Sequence, residues 1–338
     1  MKKVIAIFAG LALVSCKKES SEYDFSKTPE APKSELLTKA ASFFKSVSTL
    51  PDENISQEKI DLGKKLYYDK ALSKNGTISC NSCHNLATYG VDNKSLSVGD
   101  TKELGVRNSP TVIHASLHSM QFWDGRAKNV EEQAKGPLLN PVEHGIPNAS
   151  FLEKKLRAIP EYQAMFKKVF PNDKEPITFD NLADAIGAFE RKLNPKSKFD
   201  DYLDGNESAL NDQEKKGLNS FIENGCISCH SGVALGGQMF QKFGVHGDYA
   251  KLTRSKKIDK GLFELTKKEG DLYMFKVPGL RNIEKTAPYF HDGSISSLDE
   301  AVKLMGKLQL NKDISDEDAS NMTAFLKTLT ADVDAKYK

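Results

Sequence analysis

Apolar residues recur at helical spacing through most of this chain. After Glu35, Leu36, Leu37, Ala40, Phe43, Phe44 and Val47 fall three and four apart, which predicts a helix with one buried face. Ser56 is a suitable N-cap for a second helix carrying Ile60, Leu62, Leu66 and Tyr67. Residues 128–135 and 150–168 repeat the pattern, the second with Phe151, Leu152, Leu156, Tyr162 and Phe166. From Asp180, Leu182, Ala185, Ile186 and Phe189 share a side of a helix that stops at Asn194-Pro195. Asn211 and Glu214 have capping-box spacing ahead of Leu218, Phe221 and Ile222. Ser315 and Asp318 open a last helix with Met322, Phe325, Leu326 and Leu329. No run alternates persuasively enough for a strand, so the predicted fold is all-α.

The interruptions divide the chain. Lys2 and Lys3 precede an apolar run, Val4 to Val14, too short to span a bilayer. It ends in LVSC, which resembles the lipobox of bacterial lipoproteins and implies cleavage before Cys16 and lipidation of its thiol. An ordinary signal peptide with an incidental Cys16 is the alternative. The polar stretch after it, with Pro29 and Pro32, reads as a tether. A long aperiodic stretch, residues 85–110, has the character of a functional loop. A polar run after Pro195 marks a boundary. The expected organisation is a signal peptide (1–16), a tether (17–35), and two helical domains (36–195 and 196–338). The mature protein is expected outside the cytoplasm, in the periplasm, tethered by Cys16.

Charge adds little. The 48 basic and 46 acidic residues among 338 leave a net +2, and no basic block is interleaved with aromatics, so a nucleic-acid partner is not expected. The cysteines add much more. Besides Cys16 there are two pairs, each followed at once by histidine: CNSCH (Cys80, Cys83, His84) and CISCH (Cys226, Cys229, His230). Such runs attach c-type haem: both thiols bond the porphyrin and the histidine becomes an axial iron ligand. Zinc binding by the paired cysteines is disfavoured by the histidine that adjoins each pair. The chemistry of each iron then depends on its other face. A methionine there closes it for electron transfer, and an open position lets a small molecule react. Candidates after the second motif are Met239, Met274, Met305 and Met322, and after the first Met120 and Met165; spacing does not choose among them.

Four longer runs carry a resemblance: residues 62–85, 105–143 (with FWDGRA, QAKGP and NPVE), 225–237, and 277–306 (with TAPYFH and KLMG). They are similar, in order, to the bacterial di-haem cytochrome c peroxidases. The resemblance implies two cytochrome c-like domains, a peroxidatic haem held by His84 and an electron-transfer haem held by His230 and Met305. It further implies that Glu143 moves the peroxide proton, that Gln133 lines the same pocket, and that Trp123 lies between the haems. Asn108, Thr286 and Pro288 match the ligands of a calcium ion, and Arg281 a haem-propionate partner.

The implied reaction reduces hydrogen peroxide to water with electrons from a small cytochrome c or cupredoxin, entering at the C-terminal haem. A homodimer is usual in the family. There is one departure. Many members carry a histidine in the loop after the first motif that caps the peroxidatic iron, and the ungapped match from His84 to Asn108 puts Asp100 there. The first haem is therefore expected to be open in the oxidised protein. The competing readings are a di-haem maturase-like oxidase acting on a protein, against which Met305 argues, and a non-catalytic di-haem electron carrier.

Overall fold

A computed structural model of the chain describes residues 33–338. The expected signal peptide, the lipidation site Cys16 and nearly all of the tether lie outside the described residues. No helix among the described residues is long and apolar enough to cross a membrane.

The capping residues set the helix starts. Ser34 Oγ accepts from Leu37 N at 3.2 Å and opens Glu35–Phe43; Ser56 opens Gln57–Tyr68. Asn129 opens Val130–Leu139, and Thr178 opens Phe179–Glu190. The apolar stretch 150–168 is two helices, Ala149–Arg157 and Pro160–Val169. Pro160 has no N–H to continue the first helix and stands at the first position of the second. In the C-terminal half, Asp212–Glu223, Leu298–Leu310 and Asp316–Lys327 are the long helices. The architecture is largely helical. One antiparallel ribbon, Phe240–Lys242 paired with Met274–Lys276, escapes the sequence pattern because three residues are too few to show an alternation.

The helix before each CxxCH motif crosses a later helix through a glycine. A Cβ on Gly63 would stand 1.9 Å from Ala185 O, and one on Gly217 would stand 1.8 Å from Asn321 O. Only hydrogen at these positions lets the 57–68 helix meet the 179–190 helix, and the 212–223 helix meet the 316–327 helix, backbone to backbone. The two halves thus repeat one packing device with little sequence in common.

Their ends cross over. Leu37, Ala40 and Phe44 belong to the core of the C-terminal half, where Phe44 meets Phe199 at 5.5 Å and Phe199 meets Phe325 at 5.1 Å between ring centres. At the other end, Val333 and Tyr337 join the core of the N-terminal half with Ile60, Tyr67 and Phe189. Tyr68 Oη donates to Tyr337 O at 3.0 Å to hold that end in place.

Candidate functional site

The first CxxCH motif is a single helical turn, Cys80–Cys83, with Ser79 N donating to Ser82 Oγ at 2.9 Å. His84 follows it, and the buried Tyr67 hydroxyl donates to the His84 carbonyl. His84 Nδ1 lies 2.9 Å from Pro110 O. A carbonyl oxygen only accepts, so Nδ1 carries the hydrogen and the Nε2 lone pair is left to bind a metal. The second motif repeats the arrangement on the turn Cys226–Ser228: His230 Nδ1 lies 3.1 Å from Leu235 O, again freeing Nε2. None of these four cysteines is tied up in a disulfide. Two thiols and one oriented imidazole in each half suit covalently held haem.

The surroundings of the two motifs differ. His230, Cys226 and Cys229 line a predominantly apolar cavity whose wall also carries Met305, from the 298–310 helix. Of the methionines the sequence left open after this motif, Met305 and Met322 reach that cavity. Trp123, Arg281, Asn108, Thr286 and Pro288 line it too, and so does Pro110, whose carbonyl holds His84. Residues from both halves therefore meet there.

Near the first motif the notable group is a carboxylate. Glu143 sits in the turn after the 130–139 helix, and its Oε1 accepts from Asn140 Nδ2 at 2.7 Å. Burial pushes its pKa above the ordinary glutamate value, opposed by that hydrogen bond and by the charge of Arg126. The Glu143 carbonyl accepts from Asp100 N at 2.8 Å, which ties it to the loop after the first motif. Burial likewise pushes the Cys83 thiol up to about 11; Ser97 lowers it by hydrogen bonding, and the charges of Asp92 and Glu143 raise it further. Gln133 is half-buried on the 130–139 helix.

The Asp100 side chain is bound to the turn before the first motif. Its carboxylate is 3% exposed and accepts from Asn75 N (2.7 Å), Thr77 N (3.2 Å) and Thr77 Oγ1 (2.6 Å). Burial alone would raise its pKa, but the hydrogen bonds from Thr77, Asn75 and Ser73 hold it at about 2. It pins the turn that leads into Cys80.

Trp123 is fixed by an Nε1 bond of 2.9 Å to Asn108 O. Its neighbour Asp124 pairs with Arg107 (2.6 Å) and Arg126 (2.8 Å), and Arg107 also grips Asp259 at 2.6 Å. The side-chain amide of Asn108 donates to Lys94 O, and its Oδ1 accepts no hydrogen bond among the described residues. Arg281, expected beside a haem carboxylate, is 2% exposed and makes a two-pronged pair with Asp200 at 2.7 and 2.8 Å while donating to Val233 O at 2.6 Å. Sequence reasoning missed Asp200 and Lys276. Their partners Arg281 and His118 lie 81 and 158 residues away; the one local mark was the capping box of Asp200 with Ser197, three residues before it.

The model for the di-haem cytochrome c peroxidase family matches residues 57–208. The chain is 46% identical to a cytochrome c551 peroxidase of Pseudomonas aeruginosa over 90% of its own length and 88% of the relative's. It is also 46% identical to a cytochrome c551 peroxidase of Nitrosomonas europaea, over 80% of each chain. Among solved structures, a MauG-like protein associated with microbial copper homeostasis superposes with a TM-score of 0.74 at 28% identity, covering 93% of this chain and 98% of the other. With two oriented CxxCH histidines in a largely helical frame, this chain belongs to the di-haem cytochrome c peroxidase family.

Proposed function

We propose that this protein reduces hydrogen peroxide to two waters, taking two electrons and two protons per peroxide. The observation that carries the reading is the asymmetry of the two motifs: Met305 shares a cavity with His230, while the half-buried Glu143 is joined through its carbonyl to Asp100 N, at 2.8 Å, in the loop that follows His84. Two covalent haems, on His84 and on His230 with Met305, would supply the one-electron chemistry, the first reactive and the second accepting electrons.

The remaining work falls to the chain. Glu143 takes a proton from one peroxide oxygen and returns it to the other, assisting departure of water. Asn140 holds that carboxylate in place, and Gln133 contributes a polar wall. Trp123, clamped to Asn108 O, keeps a rigid aromatic ring between the halves. Asn108 Oδ1 and the Thr286 and Pro288 carbonyls form an all-oxygen set suited to calcium. Asp100, committed to the 75–77 turn, offers the first iron no cap, so the oxidised protein is ready for peroxide.

The domains 36–195 and 196–338 each carry one haem in this reading. The donor is a small cytochrome c, as the relatives' names say of them, or a cupredoxin. The location is the periplasm, with a lipid anchor on Cys16 and a homodimer as the working form. The test mixes purified holoprotein, a reduced small cytochrome c and peroxide. Oxidation of two cytochromes per peroxide is expected; peroxide-independent oxidation, or none, overturns the proposal.

A further inference from the structure

Lys276 is a buried cation without an acid. It ends the 274–276 strand, where its N–H donates to Trp123 O at 2.8 Å, and its side chain lines the cavity shared by His230 and Met305. The residue is 5% exposed. Among the described residues no carboxylate stands within ion-pair distance of Nζ, whose one hydrogen-bond partner is His118 Nδ1 at 3.1 Å. A lone ammonium in an apolar wall is expensive unless an anion meets it. Desolvation pushes Lys276 down to about 8, as expected of an uncompensated charge.

His118 is built in as firmly. A Cβ on Gly237 would stand 2.3 Å from His118 Cδ2, and one on Gly279 would stand 2.5 Å from His118 Nε2, so the imidazole fills a slot between two side-chain-free positions. It too lines the cavity. The other buried cation there, Arg281, already has its carboxylate in Asp200.

We infer that Lys276, oriented by His118, is the seat for a carboxylate of the group that fills this cavity, namely a propionate of the second haem. The inference rests on the proposed function placing a haem between His230 and Met305. It transfers the propionate role from Arg281, which instead holds the protein frame together. An ammonium beside the propionate favours the reduced, more negative haem. The seat is joined to Trp123 through the backbone of Lys276, so the haem edge and the indole share one rigid mount.

The test uses holoprotein carrying Lys276→Met, with Lys276→Arg as the charge-keeping partner. The near-infrared methionine-to-iron band reports whether the cavity holds a His/Met haem; its absence from the wild type refutes the underlying placement, and the seat with it. With the band present, Lys276→Met is expected to lower the midpoint potential of the second haem and to shift its propionate bending band in resonance Raman. Lys276→Arg is expected to restore both. An unchanged potential and an unmoved band in Lys276→Met overturn the inference. Should that variant fail to fold, His118→Asn removes the orienting contact but leaves the ammonium. A shifted propionate band there supports the seat, and an unmoved one rejects it.

Discussion

The Thr77 hydroxyl donates to the Asp100 carboxylate at 2.6 Å, tying the loop after the first CxxCH motif to the turn before it. Thr77 N and Asn75 N add two more bonds. Asp100→Ala is expected to lower stability by about 1–3 kcal/mol, because it strands these donors. The Asp100 pKa is depressed to about 2, so its contribution is complete above the usual carboxylate range and lost as pH falls toward about 2. Urea melts at neutral and acid pH check this: wild type and variant should differ at neutral pH and converge in acid.

The same commitment bears on the proposed readiness of the first haem. With the Asp100 carboxylate bound to the 75–77 turn, the fully oxidised protein should react with peroxide in stopped flow without prior reduction. Silence until one electron is added would mean that another side chain closes the first iron.

Glu143 is expected to matter for rate more than for fold. Glu143→Gln keeps a partner for Asn140 but cannot accept a proton, so peroxide turnover should fall about 10²–10⁴-fold. Burial raises the pKa of Glu143, and the carboxylate must be ionised to act. Activity should therefore rise with pH through a midpoint above the ordinary glutamate range. That limb should vanish from the rate profile of the variant.

Asp200 and Arg281 form a fully buried pair, the former also accepting from Val47 N, Ser197 N and Ser197 Oγ. Arg281→Met leaves the carboxylate unpaired and is expected to destabilise by about 3–5 kcal/mol. The double variant with Asp200→Leu should lose less than the sum of the two single changes, measured by denaturant unfolding of all three proteins. Burial would raise the Asp200 pKa, but Arg281 and Ser197 hold it at about 2, so acid should weaken wild type while sparing the double variant this loss.

Local signals in the sequence were realised closely. The Asn211 and Glu214 box is present in both directions, at 2.9 and 2.8 Å, and Ser315 Oγ caps its helix at 3.0 Å from Asp318 N. Such contacts span three residues and leave a spacing that can be read. The helical period also marked which face of 35–43 is apolar, but a period carries no address, and the face packs against Phe199 and Phe221 rather than the neighbouring helices. Charge pairing was least legible. Arg281 carries the same letter whether it meets a haem carboxylate or Asp200, and Lys276 gains its importance only from an absent acid and from His118, which lies 158 residues away. In the 150–168 stretch the apolar spacing continues across Pro160 because both helices face one core, which hid the break.

The crossed segments make one half depend on residues far along the chain. Ile60, Tyr67 and Phe189 share their core with Val333 and Tyr337. A chain cut before Val333 would leave Tyr68 without the carbonyl it binds and Phe189 without its covering ring. Such a truncated chain would display to proteases an apolar surface that these residues otherwise conceal.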